Sequence, residues 1–243
     1  MFKYGIITNR GNENPLNEDS IYFNKSVINE VSYEKYGFSL KNNIHACVFD
    51  GVESSDYAIC ASLKAAKELK EYNLSLINDR NTLINLVDIL NSTIVQEQIK
   101  HDSNMMSTFA GVFINNDVIY AGNVGDSKIY VYDNKLTPLY AEDTYNNYKQ
   151  KNNIKDFSNS EHVITNCLGI EDFNKYKTHY FRYQIMHRKT KVILMSDGVS
   201  DYIDDIELNK IMKLDIKQIM ETIKNIVIEN GAEDNYTFVV VEI

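Results

Sequence analysis

Aspartates are the residues of this sequence whose placement suggests chemistry. Two apolar runs, Ile44-His45-Ala46-Cys47-Val48-Phe49 and Lys191-Val192-Ile193-Leu194-Met195-Ser196, are each followed by Asp-Gly, at Asp50-Gly51 and Asp197-Gly198. Each run reads as a strand that delivers a carboxylate to its end. Asp-Gly is also the commonest hairpin dipeptide, and for either segment alone the turn reading is favoured. The residues after each dipeptide argue against a turn, because 55–71 carry a helical pattern and 199–206 are acidic rather than a returning strand. A helix starting at Gly198 puts Asp197 and Asp201 on one face, four residues apart. Glu18-Asp19 precedes another strand-like run, Gly125-Asp126-Ser127 lies between two, and Asp234-Asn235 introduces the last. Taken singly, each reads as a turn or cap residue. Taken together they demand more: two carboxylates about 5 Å apart repel by roughly 3 kcal/mol at an effective dielectric of about 20, so a converging set requires divalent cations. Oxygen donors select Mg²⁺ or Mn²⁺, and the lack of His/Cys spacing argues against zinc.

The elements that must position these groups follow from periodicity. Strands are predicted at 3–8, 20–24, 44–49, 107–114, 117–121, 128–133, 191–196 and 236–242. Helices are predicted at 55–71, at 81–100 through Leu83, Ile84, Val87, Leu90, Ile94, Val95 and Ile99, and at 215–229 through Ile216, Ile219, Ile223, Ile226 and Val227. Short turns such as Asn115-Asn116-Asp117 join strand pairs. The pattern is therefore mostly antiparallel sheet with helices packed outside it, an α+β class and not a doubly wound one. Residues 141–180 are polar and irregular, with a weak helix near 142–151, and read as a flap over a site.

Composition bounds the function. The 243 residues hold only 2 Pro and 10 Gly and no linker-like stretch, so 1–243 is expected to be one domain. A formal net charge of -9 argues against nucleic acid, which is bound through clustered Lys and Arg. No segment approaches the ~20 consecutive apolar residues of a membrane span, and the first residues lack a signal-peptide pattern. A cytoplasmic protein with no membrane partner is expected. Cys47, Cys60 and Cys167 have no CxxC spacing and read as buried free thiols.

The order of motifs carries a resemblance. Asn17-Glu18-Asp19, Phe49-Asp50-Gly51, Ser107-Thr108-Phe109-Ala110-Gly111, Gly122-Asn123-Val124-Gly125-Asp126-Ser127, Ser196-Asp197-Gly198-Val199-Ser200-Asp201 and Asp234-Asn235 occur in the order found in the metal-dependent protein serine/threonine phosphatases of type 2C. The chain resembles that family over essentially its whole length. The resemblance implies two packed antiparallel sheets flanked by helices, two Mn²⁺ or Mg²⁺ ions with a third position, and hydrolysis of a phosphoprotein by a water activated between the ions. By the same resemblance Asp50 bridges both ions, Asp197 and Asp234 complete the first site, Glu18 and the Gly51 carbonyl complete the second, and Asp19 acts through a bound water. The third position falls on Asp126, Asp197 and Asp201. A Ser/Thr kinase or its targets are the implied partners of a monomeric enzyme.

There are departures from the family. Asn14 stands where a substrate-phosphate Arg is common, and an amide offers only a neutral donor where Arg binds bidentately. Arg10 is the nearby replacement. Val52-Glu53-Ser54 comes after Asp50-Gly51 in place of a glycine-rich continuation, so no general acid is assigned. His45, His101, His162, His179 and His187 read as surface or satisfied, partly buried histidines. Cys167-Leu168-Gly169 keeps only the Leu-Gly of a longer motif. The rival reading is a type 2C-like module that has lost turnover and binds phosphoproteins as a regulator. An Asp-nucleophile phosphatase is disfavoured, because neither Asp50-Gly51-Val52 nor Asp197-Gly198-Val199 supplies a second Asp two residues on.

Overall fold

The computed structural model describes residues 1–41, 43–52, 57–152, 154, 163–172 and 176–243. The described strands are β1 (Phe2–Asn9), β2 (Ser20–Phe23), β3 (Ser26–Ile28), β4 (Ser32–Ser39), β5 (Asn43–Phe49), β6 (Phe109–Asn115), β7 (Val118–Val124), β8 (Lys128–Tyr132), β9 (Leu136–Pro138), β10 (His179–Gln184), β11 (Lys191–Met195) and β12 (Tyr236–Glu242). They form two antiparallel six-stranded sheets, in the orders β4-β1-β12-β11-β8-β9 and β10-β7-β6-β5-β2-β3. The helices are α1 (Ala58–Glu68), α2 (Arg80–His101), α3 (Tyr145–Asn152), α4 (Asp197–Ser200), α5 (Asp205–Ile211) and α6 (Ile216–Glu229).

Side-chain alternation builds the layers. Along β11, Val192 and Leu194 face the other sheet, whereas Ile193 and Met195 face α5 and α6. Along β5, Ile44, Ala46 and Val48 join the core between the sheets, and Cys47 and Phe49 pack under α1 and α2. Helices thus cover the outer face of each sheet, giving the expected α-β-β-α sandwich. Strands buried on both faces must be apolar throughout, which is why these runs are continuous rather than alternating. The structure differs from the sequence reading at β3, β4, β9 and β10, which were not predicted. On α2, Ile99 is 70% exposed and lies off the buried face. The expected flap spans α3 and several residues outside the described set.

Neither Asp-Gly dipeptide closes a hairpin. After β11 the chain enters α4 at Asp197, and the Asp201 amide donates to the Asp197 carbonyl at 2.9 Å, so the two aspartates are one helical turn apart. Residue Gly198 is required there, because a Cβ would lie 2.1 Å from the Asn235 carbonyl oxygen. Beyond β5, Gly51 pairs with Ser107, and a Cβ on it would meet Ala58 of α1 at 2.9 Å. Both glycines therefore let other backbone close in behind a strand-end carboxylate.

Candidate functional site

One end of the sandwich gathers the acids. Asp19 enters β2, Asp50 ends β5, Asp126 sits in the β7–β8 turn, Asp197 opens α4 and Asp234 precedes β12. Burial, then the charges of Asp197, Asp19, Asp126 and Asp234, push the Asp50 carboxyl well above the usual carboxylate range. Burial first, with Asp197 and Asp234 adding to it, raises Asp19 to about 7, against the pull of the Thr237 and Ser196 hydroxyls. Asp126 is raised to about 8 by burial and by Asp197, Glu142 and Asp201. All six aspartates expected at the site are thus linked through these charge interactions, and Glu142, which the motifs do not mark, joins them from the segment after β9. Glu18 is fixed beside them by its backbone, which donates to Asn235 Oδ1 at 2.7 Å.

The acids are held from behind by buried hydroxyls and amides. The Asp50 amide donates to Thr108 Oγ1 at 3.1 Å, while the Thr108 amide and Ser107 Oγ donate to the Asp50 carbonyl at 2.8 and 2.9 Å. Thr108 in turn shares a 2.7 Å hydrogen bond with Ser127, next to Asp126. Leu168 exchanges backbone hydrogen bonds with Ser107, so Cys167-Leu168-Gly169 straps the residue that clamps Asp50. Asp19 is wholly buried; its Oδ2 accepts from Ser196 Oγ at 2.9 Å, and Ser196 Oγ accepts from the Thr237 amide. A chain from Asn17 to Thr8 to Thr237, with steps of 2.8 Å, completes the support. Asn235 ties the loop before Glu18 by donating to the Arg10 and Leu16 carbonyls.

Two oxygens at this site are buried without a hydrogen-bond partner, Asp19 Oδ1 and Asp126 Oδ1. Leaving such a group unsatisfied costs about 1–3 kcal/mol, more when charged, so each is an acceptor in want of a cation or donor. Asp126 and Ser200, whose Oγ is also unpartnered, line a cavity of about 190 Å³ with Glu142, Asp197, Asp201 and Lys128. The donor set is all oxygen, which suits Mn²⁺ or Mg²⁺. Among the described residues no three Asp, Glu, His or Cys side chains are grouped closely enough to hold an ion as they stand. What is present is the cluster, its repulsion and its orphaned oxygens.

The described residues superpose on Stp1, a serine/threonine phosphatase from Staphylococcus aureus, with a TM-score of 0.83 at 19% identity, covering 100% of this chain and 95% of that one. The S. agalactiae serine/threonine phosphatase gives 0.81 at 16% identity, covering 100% of both chains. The catalytic domain of the phosphatase PstP in complex with two manganese ions gives 0.74 at 18% identity, covering 99% of this chain and 97% of that one. The fold is that of the bacterial serine/threonine phosphatases. By sequence no family model and no curated protein matches the chain, so the likeness to these phosphatases rests on architecture.

Several expectations meet the geometry differently. The Asn14 side chain donates to Asp234 Oδ1 at 3.0 Å, so its amide serves a carboxylate of the cluster. Arg10 reaches the carbonyls of Asn14 and Pro15 at 3.3 and 3.4 Å and braces the loop that carries Asn14. His179 is bound to Asp143, His187 to Asp133 and His101 to Glu97, as satisfied histidines. His45 is not satisfied, since its Nε2 is buried without a partner. His162, Glu53 and Ser54 lie outside the described residues. Cys47 and Cys167 are buried as expected, but Cys60 is exposed, because it sits on the outer face of α1. The functional residues the sequence reading left without a role are Ser107, Thr108, Ser196, Thr237, Asn235 and Glu142. For all but Thr237 and Glu142 the signal was their adjacency to a motif aspartate or their place inside a quoted motif.

Proposed function

We propose that this chain is a cytoplasmic, metal-dependent phosphoprotein phosphatase that hydrolyses phosphoserine or phosphothreonine with two Mn²⁺ or Mg²⁺ ions. The observation that carries the proposal is the cluster of strand-end carboxylates with buried, unpartnered oxygens, in a fold shared with serine/threonine phosphatases. When bound, the paired cations supply the charge that acidifies water and neutralises the phosphoryl oxygens. The chain's own residues do the holding. Asp50 would serve both ions, with Asp197 and Asp234 completing one site and Glu18 and the Gly51 carbonyl the other. Asp19, fixed by Ser196, would act through water on these ions, and Asp126, Asp197 and Asp201 would hold a third. Closing these side chains about ions takes rotations on a backbone that the hydroxyl clamps keep still. Arg10 and Asn14, on the loop that reaches Asp234, would be the residues to meet the substrate phosphate. The substrate is a phosphoprotein, with a Ser/Thr kinase or its targets as the fitting partners.

The second reading, a binding module without turnover, is favoured by one observation: Asn14 stands in place of an arginine and spends its amide on Asp234. Hydrolysis of p-nitrophenyl phosphate and a phosphothreonine peptide, with Mn²⁺, Mg²⁺ or chelator, separates the two. Turnover that needs the metal is expected. Folded, metal-loaded protein that turns over neither compound supports the module instead.

A further inference from the structure

A cavity of about 570 Å³ lies at the opposite end of the sandwich from the carboxylates. Strands β2 and β5 connect the two ends. The first runs from Asp19 to the Asn24-Lys25 turn, and the second runs from Asn43 and His45 to Asp50, about 23 Å at strand rise. The cavity is in the size range of small-ligand sites. Its lining is rich in donors: Lys25 from the β2–β3 turn, Lys41 from the approach to β5, Lys70 from the segment just after α1, and Tyr72, with Glu71 as the one acidic residue. Among the described residues none of these three lysines forms an ion pair. In a chain of formal net charge -9, three unpaired cations converging from three elements on one cavity form a local field opposite to that of the whole molecule.

The turn adds an independent observation. Phe23 pairs with Ser26, so Asn24 and Lys25 form a two-residue hairpin loop, with φ of 47° and 76°. Such loops favour Asn followed by Gly, because both central residues take positive φ. Here lysine stands at the glycine position, in a conformation unfavourable to a side chain, and its side chain lines the cavity. A strained residue that local preference does not explain points to a role for its side chain.

We propose that this cavity binds a phosphate-bearing ligand through Lys25, Lys41 and Lys70, independently of the carboxylate site. The phosphate belongs either to a free small molecule or to a lipid headgroup. Inorganic pyrophosphate titrated into chelator-treated protein tests the first source, since the cation-free carboxylate cluster repels anions. Phosphatidylcholine vesicles with and without phosphatidic acid test the second. Saturable binding of one of these probes is expected, weakened about tenfold or more by Lys41→Glu with Lys70→Glu and unchanged by Lys213→Glu, an exposed lysine elsewhere. Lys25→Gly guards against a folding artefact: it is expected to raise the melting temperature by relieving the turn while weakening binding. Metal-dependent hydrolysis of p-nitrophenyl phosphate by these variants is read separately, so loss of one site is not mistaken for loss of the other. No saturable binding of either probe, or equal weakening by Lys213→Glu, overturns the proposal.

Discussion

The inner and outer halves of the acidic cluster are built differently. Asp19 and Asp50 flank strands buried on both faces, and each is fixed from behind, Asp19 by Ser196 and Asp50 by Ser107 and Thr108. Asp126, Asp201 and Glu142 come from a turn, the end of a one-turn helix and the segment after β9. The Asp19 carboxylate is held by Ser196 and the Asp50 backbone by Ser107 and Thr108, so the strands cannot draw these two residues apart, and cations or protons relieve their repulsion. Asp126, Asp201 and Glu142 instead line a cavity beside them. Binding at the inner half should therefore be obligatory for chemistry, and occupancy at the outer half should tune it.

The sharpest way to break this comparison is Asp50→Asn. It is expected to cost about 10²–10³-fold or more in kcat, while raising the melting temperature of chelated protein, because a charge repelled by four neighbouring aspartates is removed. An inactive variant with lowered stability would show that the aspartate serves the fold rather than a cation. Next in size, Ser196→Ala leaves Asp19 Oδ2 without its donor and should weaken Mn²⁺ binding about 10–100-fold, with Thr108→Ala acting on Asp50 in the same direction. Calorimetry on both variants checks it. Asp126→Asn should cost less than either, visible mainly as a higher Mn²⁺ requirement; a loss equal to that of Asp50→Asn would erase the distinction between the halves.

The smallest expected effect is on pH dependence. Asp19 and Asp126 are raised to about 7 and about 8 without cations, mainly by burial. In the fold they hold protons that an unfolded aspartate, with a pKa of about 4, has lost. Cation-free protein should therefore lose stability as pH rises from about 4 to about 8, and Mn²⁺ should flatten that slope. Thermal melts across this range with and without chelator measure it. A slope of opposite sign in chelator would mean that these carboxylates are not buried together.

How far the fold was legible in the sequence depends on burial. The predicted strands are the interior ones of both sheets, whose two covered faces make them continuous apolar runs. The unpredicted strands β4, β9, β3 and β10 are the four edges. An edge strand such as β4, Ser-Tyr-Glu-Lys-Tyr-Gly-Phe-Ser, exposes much of its length and needs no apolar pattern. The carboxylates were legible because each adjoins a strong strand signal. Their clamps were not, since Ser196 meets Asp19 across 177 positions and Thr8 meets Thr237 across 229. Glu142 was invisible for a similar reason, lying in a polar segment whose spacing marks nothing. Asn14 was flagged by what it replaces, but its bond to Asp234 becomes visible only when both chain ends meet.

Titration of Mn²⁺ into chelator-treated wild-type and Asp50→Asn proteins by isothermal calorimetry tests the central claim most directly. The account expects at least two ions to bind the wild type with release of protons from the raised carboxyls, and the variant to lose that binding while remaining folded. Absence of Mn²⁺ and Mg²⁺ binding by folded wild-type protein, or equal binding by both proteins, would contradict it.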